Sequence, residues 1–396
     1  MLEVIYSETV DIMKVSVGVY GRFHAFNLAA ELQRMGHLQC LLTSYPASHA
    51  VKYGVEAKYV SGFPQYELLK RLNVRVSSLT RRQVDLHGLI KGRFSIAIAR
   101  SIPEGADIVN VWSGVAGPSI ERAKSIGAIS VLERGSAHPN YTAEILEEEF
   151  DLMGVAGFSS RERSNDMSEY DQADYVAVPS IFAARTFVER GYQPDKIIKV
   201  PYGVDLQEFP NLTQSETVFR VLHVGAISFQ KGVHRLIKAF AELKLPNSEL
   251  CLVGAVSPEM LAVLKKYEGK FKYLGVLPQS VLYKVYNQSN VFCLNSIQDG
   301  FGMVILQAMA CGLPLVCSEN TGGADVIDDS DCGFVVSVRD EAALKEKILQ
   351  LYKDREMRQV MGENSFQKVS SRFTWEHYGE KVAKEFLEKM RRNEER

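Results

Sequence analysis

The 396 residues carry 46 Lys and Arg against 48 Asp and Glu, with 46% hydrophobic and 24% charged residues. That composition excludes a disordered chain, allows two cores of about 100–200 residues each, and at a net charge of −2 gives no global field to gather nucleic acid. Without a run of about 18 apolar residues there is no membrane span, and the opening MLEVIYSETVDIM lacks the basic head and long apolar run of a signal peptide, so a cytoplasmic protein is expected.

Short apolar runs alternate with helix-length segments along nearly the whole chain, the pattern of parallel sheets covered by helices on both faces. The first convincing strand starts at Lys14, and residues 1–12 are expected to form a tail outside the fold. Strands are predicted over 15–19, 38–42, 108–112, 129–132, 175–178 and 197–200, with helices over 23–35 and 181–189. Residues 45–105 show no clean period.

Further strands are predicted over 218–224, 250–253, 271–274, 291–294, 315–317 and 334–336. The helix between the first two carries Val233, Leu236, Ile237, Phe240 and Leu243 on one stripe, with Lys238 and Glu242 facing water. Helices over 341–352, 357–370 and 374–390 close the chain. The turn-rich Pro201-Tyr202-Gly203-Val204-Asp205 is expected to be a hinge, which divides the chain into domains over 13–202 and 203–375 and a final helical segment over 376–396. ADYVAVPS at 173–180 and SNVFCLNS at 289–296, both apolar strands ending in a serine before a helix, hint at two similar units.

The strongest chemical signal is Asp299-Gly300-Phe301-Gly302, a loop between a strand and a helix that stops at Cys311-Gly312-Leu313-Pro314. Glycines there let backbone N–H groups approach a ligand, and the helix start favours a diphosphate. Gly312 suits a left-handed cap, and Pro314 prevents continuation. The six cysteines, Cys40, Cys251, Cys293, Cys311, Cys317 and Cys332, lie mostly in apolar runs and form no CxxC pair, so a reducing compartment and no metal centre are expected.

DGFGMVILQAMACGLPLV resembles the signature EGFGLVxLEAMACGxPVV of glycosyltransferase family 4, the retaining group 1 enzymes of GT-B fold. The resemblance runs through HVGAISFQKG (223–232), YLGVLP (273–278), TGGADVI (321–327), VPSIFAARTFVERG (178–191), VPYGVDLQEF (200–209) and FTWEHY (373–378), while residues 14–169 fit only in outline. It implies an α/β fold of two Rossmann-like domains whose parallel sheets face across a cleft. The first would bind the acceptor and the second the nucleotide sugar, and the C-terminal helix would return to the first domain.

In the family, two acidic residues separated by seven others sit at the donor, one near the sugar hydroxyls and one on the ribose. The matching positions are Asp299 and Gln307, both departures from the usual glutamates. Lys231 matches the lysine set against the donor diphosphate, where a cation stabilises charge as the nucleotide leaves. Ala226 stands where the family has an arginine. Either Lys231, Ser228 and the helix start hold the diphosphate alone, or Arg134 or Arg22 of the first domain closes over it. The expected donor residues are therefore Gly225, Ser228, Lys231, Asp299, Gly300, Phe301, Gly302 and Gln307.

In the first domain, Glu133 and Arg134 follow a strand and could satisfy one another as an ion pair, while Arg134 is also a candidate for the diphosphate. The resemblance gives His138 a hydrogen bond to the transferred sugar, so His138, Asp299 and Lys231 form the expected catalytic set. Gly18, Gly21 and Arg22 mark a βα turn where acceptor or diphosphate could approach; its spacing is not that of a dinucleotide fingerprint. Asp329-Ser330-Asp331 has the form of a metal-binding DxD but reads as a solvated turn. Between Glu67 and Arg100, Lys70, Arg71, Arg75, Arg81, Arg82, Lys91, Arg93 and Arg100 face only Glu67 and Asp85. This excess meets anionic lipid headgroups or a lipid-diphosphate acceptor at the inner face of a membrane, or is a solvated helix face.

The resemblance implies transfer from a nucleotide-diphosphate sugar to a glycan or lipid-linked acceptor, in surface polysaccharide or glycoconjugate synthesis. No metal or other cofactor is expected. The alternatives are a nucleotide-sugar epimerase or a phosphorylase on the same architecture, although no pyridoxal phosphate lysine can be located for the latter, and a nucleotide-sugar-binding protein weakened by Ala226 and Gln307.

Overall fold

The computed structural model describes residues 12–80, 86–156, 158, 167–212, 217–328 and 331–395. The tail expected over 1–12 lies, apart from Ile12, outside the described residues. Thirteen strands are present among those described: β1 (Val15–Val19), β2 (Leu38–Thr43), β3 (Val60–Gly62), β4 (Ile108–Trp112), β5 (Ile129–Glu133), β6 (Tyr175–Val178), β7 (Ile197–Lys199), β8 (Phe219–Val224), β9 (Ser248–Val253), β10 (Lys272–Tyr273), β11 (Val291–Leu294), β12 (Leu315–Ser318) and β13 (Gly333–Val336). They form one sheet in the order β3-β2-β1-β4-β5-β6-β7 and another in the order β10-β9-β8-β11-β12-β13.

The pairs β1–β2, β1–β4 and β4–β5 are parallel, as are β8–β9, β8–β11 and β11–β12. Parallel strands are covered on both faces, so their residues are apolar without alternation. Accordingly, every residue of β1, β4, β5, β11 and β12 is buried. The helix Val233–Leu243 buries Val233, Leu236, Ile237 and Phe240 as its stripe requires, and Lys238 and Glu242 remain exposed.

Two compact units emerge: Met1–Glu133 with Asp166–Val176 and Gly379–Arg396, and Arg134–Asn165 with Ala177–Tyr378. Segments 134–165 and 177–202 cluster with the second unit by contact, while β6 and β7 are strands of the first sheet, the domain in which the sequence reading places them. Within the first unit the last helix meets the helix Ala25–Arg34, where a Cβ at Gly379 would stand 2.3 Å from that of Glu31. Within the second, a Cβ at Gly203 would come within 2.6 Å of the Thr374 carbonyl, and Val204 N–H donates to the Phe373 carbonyl at 2.9 Å. The stretch read as a hinge is therefore packed against 373–375.

The region without clean periodicity contains β3 and the helices Ala47–Val51, Pro64–Thr80 and His87–Ser101. No residue of β3 is buried, which is why it lacked an apolar run. Phe63 and Tyr66 meet Phe94 edge to face at 6.1 and 5.7 Å, joining the latter two helices.

Candidate donor site in the second unit

In the second sheet the strand order reverses between β8 and β11. Connections leave these strands in opposite directions, so their carboxyl ends open a crevice. The two loops that follow them carry most of the expected donor residues.

After β8, the chain turns at Gly225, whose φ is +144°. A Cβ on neighbouring Gly254 would come within 1.7 Å of the Gly225 carbonyl oxygen, so the two chains touch backbone to backbone. Ser228 Oγ accepts from Lys231 N–H at 3.3 Å. At Gly232, φ is +65° and a Cβ would lie 1.8 Å from the Asn295 carbonyl oxygen; glycine is required both for the angle and for the approach. That approach joins the loops after β8 and β11 and carries Lys231 to Asp299. Their charged groups form an ion pair with side chains 21% and 16% exposed, sheltered yet reachable by a ligand.

A third segment of the same unit completes the arrangement. A Cβ at Gly300 would sit 2.2 Å from the Gly135 carbonyl oxygen, and Ser180 Oγ donates to the Gly300 carbonyl. Fully buried Gln298 donates to Ser136 Oγ at 2.7 Å and accepts from Gln230 Nε2 at 3.0 Å. Asp299 N–H donates to the Asn320 carbonyl at 2.9 Å, and Asn320 Nδ2 donates to that of Ile297 at 2.9 Å. Buried polar groups satisfied in this way hold a loop in one conformation. Gln230, Gln298, Ser136, Ser180 and Asn320 were not read as site residues from sequence; the local hints were Gln298 beside Asp299 and Ser180 at the end of an apolar run.

Several of the expected residues also have structural partners. His138 is a helix cap: its Nδ1 accepts from Asn140 N–H at 3.2 Å, and its ring packs edge to face with Phe187 at 5.0 Å. These contacts hold the imidazole at the start of the helix Pro139–Leu152. Phe301 is 1% exposed, its ring filling the space that a side chain at Gly322 would need, so it supports the loop from inside. Gly302 has φ +81°, and a Cβ there would meet Leu294 at 2.4 Å. Tyr286 OH donates to Gln307 Oε1 at 3.0 Å, which occupies one of the two lone pairs of the carboxamide oxygen.

Ala226 is exposed and brings no cation. Arg134 Nε donates to the Ala137 carbonyl at 3.0 Å, within its own loop. Beneath these loops His223 donates from Nδ1 to the Cys293 carbonyl at 3.2 Å. Burial pushes its pKa down to about 4, assisted by the Lys231 charge, so it is neutral near pH 7. The helix start of the same loop is braced by buried Glu149, which accepts from His234 and Arg235 at 2.7 and 2.8 Å and from Arg339 at 2.7 Å. Burial alone would raise the Glu149 pKa, but these hydrogen bonds outweigh it and hold the carboxyl at about 2.

In the first unit, Gly18 lies inside β1 rather than in the turn; a Cβ there would meet Val111 at 3.0 Å, so it is a packing glycine. Gly21 is the turn residue, with φ +107°, its N–H donating to Ser44 Oγ at 3.0 Å. Arg22 lies over the Tyr53 ring at 5.0 Å. Sequence reasoning missed the neighbours of this turn. Phe23 has φ +43° and is 65% exposed, while buried His24 stands 3.7 Å from Glu133, which also accepts from Asn110 at 3.4 Å. Glu133 thus has partners other than Arg134.

Among the described residues no group of three His, Cys, Asp or Glu is arranged to hold a metal. Asp329 and Ser330 lie outside the described residues, as do Arg81 and Arg82; Asp331 pairs with Lys368 at 2.8 Å. All six cysteines are free and buried.

Residues 206–368 match the family described as Glycosyl transferases group 1. A probable sucrose-phosphate synthase of Thermosipho melanesiensis is 30% identical over 208 residues, 49% of this chain and 47% of that protein. The capsular polysaccharide biosynthesis glycosyltransferase CapM of Staphylococcus aureus is 31% identical over 165 residues, 39% of this chain and 42% of that protein. The chain therefore spans somewhat under half the length of these curated relatives. Anabaena Alr3699/HepE, solved with UDP and glucose, superposes with a TM-score of 0.66 at 15% identity, covering 94% of this chain and 98% of its own; at that identity the likeness concerns the fold. Residues 206–368 belong to the group 1 glycosyltransferase family, on a chain with the α/β, two-sheet GT-B fold.

Proposed function

We propose that the protein transfers a sugar from a nucleotide-diphosphate donor to a glycan or lipid-linked acceptor, with retention at the anomeric carbon and without a metal. The observation that carries this reading is the Lys231–Asp299 pair at the reversal point of the second sheet, on loops whose glycines permit close backbone approach. Lys231 would lie against the diphosphate and Asp299 against the sugar hydroxyls. As the bond from C1 to the phosphate oxygen breaks, its electron pair passes to the leaving phosphate, where the ammonium stabilises the charge. The acceptor oxygen bonds to C1 on the same face, and its proton goes to that phosphate. His138 acts as a positioning residue for the loop 134–138. The polysaccharide setting of relatives such as CapM supports a role in polysaccharide or glycoconjugate synthesis.

The test is thermal shift with UDP-, GDP- and ADP-sugars, with magnesium and with EDTA, on the native chain and on Lys231→Ala. A donor at a hundredfold excess over its dissociation constant stabilises by about 2.7 kcal/mol. A shift that survives EDTA and disappears in Lys231→Ala supports the site; a shift that requires magnesium overturns the metal-free reading. An inverted product would overturn retention.

A nucleotide-sugar-binding protein without turnover is the second reading. Ala226 and Gln307 favour it, because the first removes a cation and the second replaces a carboxylate with a neutral amide whose oxygen already accepts from Tyr286. Donor binding with neither transfer nor hydrolysis across an acceptor panel would select it. Sugar interconversion without acceptor would instead point to an epimerase.

A further inference from the structure

The helices Pro64–Thr80 and His87–Ser101 of the first unit leave apolar side chains in water. Leu68 and Leu72 are 60% and 46% exposed, and Leu89 and Ile96 are 56% and 46% exposed. Single exposed leucines are ordinary, but grouped ones call for a partner. Here they recur at helical spacing together with arginine. Leu68, Arg71, Leu72 and Arg75 form one exposed stripe, and Leu89, Arg93, Ile96 and Arg100 another. Phe63, Tyr66 and Phe94 fill the seam between the helices.

Charge identifies the partner. Across the described residues 63–80 and 86–101 the basic side chains are Lys70, Arg71, Arg75, Lys91, Arg93 and Arg100, and the single acidic one is Glu67. Glu67 is already engaged by Lys70 at 3.7 Å and Arg71 at 3.3 Å. We propose that these two outward stripes form a peripheral binding surface for an anionic lipid bilayer, with the leucines entering the acyl boundary and the arginines at the headgroups. Protein interfaces concentrate their energy in aromatic anchors and under-use leucine, whereas leucine interleaved with arginine is the composition of an interfacial helix. No described helix is long and apolar enough to span the bilayer, so the contact is peripheral. The inference rests on this surface alone and not on the donor chemistry.

The test is sedimentation of the full chain with vesicles of phosphatidylcholine alone and of phosphatidylcholine mixed with phosphatidylglycerol. Binding is expected only to the mixed vesicles and should weaken in high salt. A basic residue at such a surface contributes about fivefold in affinity, so Arg71→Glu/Arg75→Glu should lower binding by roughly tenfold or more. Leu68→Ser/Leu72→Ser should lower it by at least about tenfold if both leucines are buried in lipid. Both variants should keep the native melting temperature and the donor-induced shift, which separates lost bilayer binding from misfolding and from failure of the transferase reading. Absence of sedimentation with mixed vesicles, equal binding to phosphatidylcholine, or an undiminished Leu68→Ser/Leu72→Ser variant would each overturn the proposal.

Discussion

Lys231 and Asp299 form an ion pair between the two loops that leave the reversal point of the second sheet, although 68 residues separate them in the chain. In the proposed reaction the ammonium turns to the phosphate and the carboxylate to the sugar hydroxyls of one donor. The two substitutions should therefore fail differently. Lys231→Ala is expected to lower kcat by about a hundredfold or more, the usual scale for removing a transition-state electrostatic contact, and to weaken free nucleoside diphosphate as well. Asp299→Asn should weaken the nucleotide sugar by about tenfold while leaving nucleoside diphosphate almost unchanged. Calorimetric titration of both ligands against both variants checks this, and equal losses for the two ligands would place Asp299 off the sugar.

Gln307 offers a second contrast, because its Oε1 lies 3.0 Å from Tyr286 OH. A carboxylate there would accept from the tyrosine with one oxygen and from a ribose hydroxyl with the other. Gln307→Glu is expected to tighten nucleotide binding by about threefold to tenfold, the gain of a charge-assisted bond over a neutral one. Gln307→Leu should weaken it by a similar factor. Unchanged affinity in Gln307→Glu would remove residue 307 from the ribose site.

The strands could be read from sequence where both faces are covered. Runs such as 250–253 and 291–294 are apolar without interruption because every residue in them is buried. β3 could not, since it buries nothing, and the helices 64–80 and 87–101 blur the helical period by leaving leucines outside. The loop Asp299–Gly302 could be found because glycine marks where backbone must approach backbone. Its surroundings could not: Gln298 is held by Gln230 and by Ser136, 68 and 162 residues away, and no local pattern encodes such a pairing. Phe301 and His138 were placed at the site by motif, and the motif gave no sign that one packs against Gly322 and the other caps the helix Pro139–Leu152.

Glu149 should govern stability in strong acid. Its side chain is fully buried and accepts hydrogen bonds from His234, Arg235 and Arg339. Removing one partner of a buried ion pair typically costs about 3–5 kcal/mol because the other charges stay buried, so Glu149→Gln should lower the melting temperature by several degrees at pH 7. The folded pKa, about 2, lies below the ordinary 4.5, so the carboxylate stabilises above about pH 4.5. That contribution is lost as pH falls toward about 2. The gap between native and Glu149→Gln melting temperatures should narrow through that window. A gap unchanged down to about pH 2.5 would contradict the network.

His223 sets a separate window at milder acidity. Its folded pKa of about 4 lies below the ordinary 6.5, chiefly through burial, with Lys231 lowering it further and Asp299 and the Cys293 carbonyl opposing. Between these values the unfolded chain binds the proton and the folded chain resists it. Stability is therefore fully present above about pH 6.5 and declines as pH falls toward 4, by up to about 3 kcal/mol for a shift of this size. His223→Gln keeps a donor for the Cys293 carbonyl but has no proton to gain. Its melting temperature should fall less than that of the native chain between pH 7 and pH 5, where Glu149 is still ionised. Because His223 lies beneath the turn at Gly225 and stays neutral in the folded chain until pH approaches 4, native donor binding should hold between pH 7 and pH 5 and weaken only as pH nears 4, where that of His223→Gln should not. Parallel pH profiles for the two proteins would show that this histidine does not control the acid sensitivity of the loop.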